Sequence, residues 1–86
     1  MNAQEGGIKE TVREFILRSI ALRKLDNDDN LFESGIVNSL FAVQLMMFIE
    51  NAFAIEVGQD DLDIENFKSL NAMTAFVLKK RGRRND

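Results

Sequence analysis

The chain has no cysteine, no histidine and no proline. Without cysteine or histidine, its 86 residues hold no disulfide framework, no Cys/His zinc site and no Cys- or His-based catalysis. Without proline, a helical pattern can run uninterrupted. A run of about eighteen apolar residues is also missing, so nothing reads as a membrane span. The opening Met1-Asn2-Ala3-Gln4-Glu5-Gly6-Gly7 lacks the basic and apolar regions of a signal peptide. A cytoplasmic location is therefore expected, and the length fits one small domain with a thin core.

Charge is unevenly spread. Residues 1–78 hold six Lys/Arg against thirteen Asp/Glu, a net of −7. Residues 79–86 hold Lys79, Lys80, Arg81, Arg83 and Arg84 against Asp86, a net of +4. An acidic body repels nucleic acid and favours partners with basic surfaces. The short basic tail lacks interleaved aromatics and reads as solubilising charge at a frayed helix end.

The apolar periodicity is helical throughout. Ile8, Val12, Phe15, Ile16, Ser19 and Ile20 predict a first helix over Ile8 to Leu22, with Gly6-Gly7 as a flexible lead-in. Leu25 to Val37 reads as a long loop, rich in Asp and Asn and pinned to the core by Leu31, Phe32 and Ile36. A second helix is predicted from Ser39 or Leu40 to Phe53. Its core face is assigned to Ala42, Leu45, Met46, Ile49 and Phe53, with Val43 at the edge. The opposite side then carries Phe41, Gln44, Met47, Phe48 and Asn51, and Phe41 is expected to be exposed. Ile55-Glu56-Val57 reads as extended. Asp60 to Phe67 predicts a short helix with Leu62, Ile64 and Phe67 as apolar contacts. Ser69 caps a last helix from Leu70 to Arg81, with Leu70, Met73, Val77 and Leu78 buried and Ala72 or Phe76 at the edge. The fold class is all-α: three main helices and a short one, with a long loop between the first two main helices. Residues 1–7 are read as a flexible N-terminus, 8–80 as the domain and 81–86 as a basic flexible tail.

Two acidic clusters invite a metal or acid–base reading. Asp26-x-Asp28-x-Asn30 has the spacing that opens an EF-hand loop. Leu31 stands where that loop needs Gly, and Val37 where it needs a bidentate Glu. Asp60, Asp61, Asp63 and Glu65 have no nucleophile beside them, and acids at a helix start suit the helix dipole. No metal site and no catalytic residue are expected.

Ser39 stands where a polar loop meets a strongly apolar helix. A serine there is usually an N-cap. Its surroundings carry more: Leu31-Phe32-x-x-Gly35-Ile36-x-Asn38-Ser39-Leu40-x-x-Val43-x-Leu45, then Ile49, Glu50, Phe53, Ile55 and Ser69-Leu70. This pattern resembles the Asp-Ser-Leu attachment site of acyl and peptidyl carrier proteins, over about residues 8–80. The chain departs from it in two places: Asn38 replaces Asp, and Gly35 lies four residues before the serine. The exposed side of the second helix also lacks the acidic residues usual in fatty-acid carriers.

The resemblance implies a free-standing carrier with no catalysis of its own. Ser39 would bear 4′-phosphopantetheine from coenzyme A, whose thiol holds an acyl or aminoacyl group as a thioester. Asn38, Leu40, Phe41, Gln44 and Met47 would meet partner enzymes. Those partners would be a phosphopantetheinyl transferase, an acyl-loading or adenylating enzyme, and downstream acyl-modifying enzymes or a synthase acyltransferase. Neither nucleic acid nor a membrane is expected as a partner, and the chain is expected to be a monomer. Asp61 to Phe67 and the basic tail resemble carriers that supply hydroxymalonyl or methoxymalonyl extender units to polyketide or hybrid peptide assembly, an antibiotic-type secondary metabolism. D-alanyl carriers of teichoic-acid modification share the Gly-x-x-x-Ser spacing and Val43-Gln44-Leu45. A non-carrier helical adaptor is the other alternative.

Overall fold

A computed structural model describes residues 3–20 and 24–84. Helix α1 spans Ala3–Ile20, α2 Ser39–Phe53, α3 Ile64–Phe67 and α4 Leu70–Arg84, with a single 3₁₀ turn at Gln59–Asp61. No strand occurs among the described residues. The fold is the small helical bundle expected from the periodicity, with α4 packed along α1, α3 against α4, and α2 against α1. Ile8, Val12 and Ile16 of α1 meet Leu45 and Ile49 of α2 and Leu70, Met73 and Val77 of α4 in one core.

Helix α1 starts before Ile8 and runs through Gly6 and Gly7, which the sequence reading placed in a flexible lead-in. A glycine in a helix costs roughly 1 kcal/mol relative to alanine. The buried Ile8 anchors this turn, and the Thr11 hydroxyl donates to the Gly7 carbonyl at 2.7 Å. Glu5 in the first turn suits the dipole. The predicted end at Leu22 lies outside the described residues. Phe15 and Ile20 are half-buried and Ser19 is exposed, so the core stripe of α1 is narrower than expected.

The long loop is ordered by its own side chains. Asn30 Oδ1 accepts the N–H groups of Phe32 at 3.1 Å and Glu33 at 2.9 Å, which makes a tight turn. The Leu31 side chain is fully buried, its N–H donates to the Lys68 carbonyl at 2.7 Å, and its carbonyl accepts Val37 N–H at 2.9 Å. Arg13 of α1 donates to the Leu25 carbonyl at 3.2 Å and to Asn27 Oδ1. Asn71 of α4 donates its N–H to the Asn27 carbonyl at 3.0 Å and its side-chain amide to Asp28 at 2.6 Å. The Asp26–Asn30 cluster is thus partly spent on tying the loop to α4. No grouping of acids that would hold a metal occurs among the described residues.

The short-helix region differs from expectation. Asp63 Oδ1 accepts Glu65 N–H at 2.9 Å and caps α3. That cap separates α3 from the 3₁₀ turn, so no single helix covers Asp60 to Phe67. Leu62 and Ile64, read as apolar contacts of that helix, are exposed, while Phe67 is buried. Helix α4 extends to Arg84, past the predicted end at Arg81 and into the segment read as a flexible tail. Its buried stripe includes Phe76, predicted at the edge, whereas Leu78 is only half-buried. Phe76 owes its place to Phe67, whose ring centroid lies 5.1 Å away.

Candidate functional site

The site is built where the loop ends. Gly35 has a φ of +83°, a left-handed conformation that glycine adopts without strain. It reverses the chain so that Ile36 and Val37 turn back onto the core. Asn38 follows with extended backbone and caps α2, its Oδ1 accepting Phe41 N–H at 2.9 Å. The Asn38 carbonyl accepts Ala42 N–H at 2.9 Å. Ser39 is the first residue of α2 and is exposed, as are Asn38 and Leu40.

Of the first four helix N–H groups, Asn38 therefore satisfies those of Phe41 and Ala42. Those of Ser39 and Leu40, both exposed residues, have no acceptor among the described residues. Helix α2 has no acid in its first turn, so no side chain of that turn offsets the positive end of its dipole. A phosphate esterified to Ser39 Oγ fits this position: two N–H donors and a favourable field meet an anion. Asn38→Ala removes the cap and is expected to lower folding stability by about 1 kcal/mol, read as a shift in the urea midpoint with unchanged slope.

The expected partner residues do not all lie on the surface. Phe41 is only 8 % exposed and belongs to the core, which corrects the sequence reading. Its ring stacks on Phe15 of α1, with centroids 5.9 Å apart and planes 7° apart. Phe48 also stacks on Phe15, with centroids 4.1 Å apart, and is half-buried. This aromatic seam rotates α2 toward α1 by roughly 40° relative to the predicted face, counted at 100° per residue. The buried stripe is Phe41, Leu45, Ile49 and Phe53; Ala42 and Met46 are only half-buried.

Diametrically opposite that stripe lie Leu40, Val43, Gln44, Met47 and Asn51, all exposed. Leu40 is 73 % and Met47 57 % exposed. Val43, assigned to the core edge from sequence, belongs to this face. No formal charge lies on the face: the nearest acid, Glu50, is half-buried and accepts Val57 N–H at 2.8 Å. The structure thus joins Asn38, Ser39, Leu40, Gln44 and Met47 in one surface and leaves Phe41 beneath it.

Beside this face is an apolar cleft of about 180 Å³. Phe32, Ala42, Leu45 and Met46 form one side, and Leu62, Ile64 and Phe67 the other. The cleft is not legible in the sequence, where Leu62 and Ile64 read as the apolar contacts of one short helix. The Asp63 cap, three residues before Asn66 in a run of alternating acids, was the available signal for a break there.

A family model described as "Phosphopantetheine attachment site" matches residues 7–77. A D-alanyl carrier protein of Lactococcus lactis subsp. lactis (strain IL1403) is 36% identical over 56 residues, which cover 65% of this chain and 71% of that protein. A D-alanyl carrier protein of Lactococcus lactis subsp. cremoris (strain MG1363) is 36% identical over 55 residues, covering 64% and 70%.

Proposed function

Because this chain belongs to the phosphopantetheine-attachment family of carrier proteins, whose cofactor is 4′-phosphopantetheine, we propose that Ser39 is its attachment residue. The observation that carries this reading is the exposed Ser39 beside two N–H groups that have no acceptor among the described residues, at a helix whose first turn carries no acid. A transferase would pass the phosphopantetheine of coenzyme A to Ser39 Oγ, which loses its proton and becomes the ester oxygen as the pyrophosphate bond of coenzyme A breaks and adenosine 3′,5′-bisphosphate leaves. The bound group supplies a thiol that holds cargo as a thioester. The chain supplies the rest. Ser39 and Leu40 N–H would hold the phosphodiester, Asn38 keeps the helix start in register, and Leu31 fixes the loop that leads to Ser39. Leu40, Val43, Gln44 and Met47 give visiting enzymes a surface that begins at the attachment point. Tethering keeps the cargo at high effective concentration at whichever enzyme docks there.

Two cargo classes have support. A small acyl extender unit for secondary-metabolite assembly is favoured by the resemblance of the Asp61–Phe67 run. A D-alanyl group is favoured by the relatives, which are named for that cargo. The two differ in how loading is driven. Aminoacyl loading by an adenylating enzyme consumes ATP and the free amino acid. The holo protein, incubated with ATP, D-alanine and a D-alanine-adenylating enzyme, is expected to remain unloaded by intact mass if the extender-unit reading holds. Stoichiometric loading would replace that reading with the D-alanyl one.

A further inference from the structure

We propose that Met47 is a site of oxidation by peroxide, and that the sulfoxide formed there weakens docking on the outer face of α2. The second half rests on the reading of that face as the surface that visiting enzymes meet; the first rests on composition and exposure. The chain has no cysteine, histidine, tryptophan or tyrosine, so a mild oxidant finds only the thioethers of four methionines. The fold sorts these by access. Met73 is fully buried in the core. Met46 is half-buried and lines the apolar cleft. Met47 is 57 % exposed. Met1 lies outside the described residues.

The position of Met47 gives its oxidation a consequence. By helical geometry it lies diametrically opposite the mid-line of Phe41, Leu45, Ile49 and Phe53. Val43 and Gln44 stand one turn before it and Asn51 one turn after, all exposed and none charged. Leu40 carries the same face on toward Ser39. A partner that covers this face buries the Met47 thioether near the centre of the contact. In the reaction with hydrogen peroxide, the sulfur lone pair attacks one peroxide oxygen. An S–O bond forms as the O–O bond breaks, and the second oxygen leaves as water with both protons. Sulfur is oxidised by two electrons and peroxide is reduced by two. The sulfoxide oxygen is a hydrogen-bond acceptor, and burying it without a donor is costly. Reductases return the sulfoxide to the thioether, so the change is reversible. The buried stripe of α2 is on the other side of the helix and keeps its packing.

The test uses the unmodified protein, which carries no thiol. It is treated with hydrogen peroxide, freed of oxidant with catalase, and digested. Fragmentation across the Met46–Met47 bond locates each sulfoxide. Met47 is expected to oxidise at least about fivefold faster than Met46 or Met73. The urea midpoint of the oxidised protein should be unchanged. Its initial rate of phosphopantetheine transfer is expected to fall at least about threefold, because apolar contacts near an interface centre carry much of the binding energy. A pair of methionine sulfoxide reductases, one for each epimer, should restore the rate, and Met47→Leu should keep its own rate after the same peroxide treatment. Oxidation that falls first on Met46 or Met73, or a transfer rate that the Met47 sulfoxide leaves unchanged, would overturn the proposal. So would an equal loss of rate in peroxide-treated Met47→Leu. Failure of the untreated protein to accept phosphopantetheine from any transferase would contradict the assignment of Ser39 and overturn the docking half with it, while the location of the sulfoxide still decides the first half.

Discussion

Phe41→Ala is expected to destabilise the fold by about 3–5 kcal/mol, the cost of truncating a buried phenylalanine. The expectation rests on the seam that α2 shares with α1. Phe41 stacks on Phe15, and Phe15 in turn stacks on Phe48, so truncation removes contacts from both helices. A domain of this size has only about 5–15 kcal/mol of total stability, so the variant should be partly unfolded at room temperature. Phe53→Ala, at the far end of the same buried stripe, should cost a similar amount. Met47→Ala, on the opposite face, should stay within about 0.5 kcal/mol. Urea denaturation of the three variants checks the assignment. A cost below about 1 kcal/mol for Phe41→Ala would return that ring to the surface and undo the face assignment of α2.

Leu31→Ala is expected to cost about 2–5 kcal/mol, and its effect should be felt at the site as well as in the core. The Leu31 side chain is fully buried, while its backbone joins Lys68 on one side and Val37 on the other. It is the point where the loop before Ser39 is fastened to the segment before α4. A cavity there loosens the path from Asn30 to Asn38. Under conditions where the variant is still mostly folded, phosphopantetheine transfer to it should be slower than to the unsubstituted protein. The unfolding midpoint and the initial transfer rate, measured side by side, test the two effects. Normal stability would show that the loop is held elsewhere.

Much of this architecture is legible in the sequence because the strongest signals are local. The three- and four-residue spacing of Ile8, Val12 and Ile16 and of Leu70, Met73 and Val77 gives α1 and α4 and their buried faces directly. The Asn-rich loop is readable because Asn30 bonds backbone groups two and three residues ahead. Ser39 is readable because its neighbours combine a loop end, a cap and an apolar helix start. What is not legible depends on contacts between elements. Periodicity gives α2 a wide apolar arc, and Phe41 and Met46, at its two edges, compete for burial. The choice falls to Phe15, which is in another helix. Residues 59–67 have the composition of a helix, but Asp61 and Asp63 each serve as a cap, which divides the segment in two. The Lys80–Asp61 pair spans 19 residues and has no sequence signature. The extension of α4 to Arg84 runs through Gly82, a position that local propensity alone would mark as an end.

The assignment of Ser39 is tested most directly by locating the modification. The chain contains four serines, Ser19, Ser34, Ser39 and Ser69. The protein would be incubated with coenzyme A and a broad-specificity phosphopantetheinyl transferase, weighed intact, and then digested and fragmented. One phosphopantetheine is expected per chain, confined to the peptide bearing Ser39, and none on Ser39→Ala. Modification that persists in Ser39→Ala, or a folded protein that several transferases leave unmodified, would contradict the assignment.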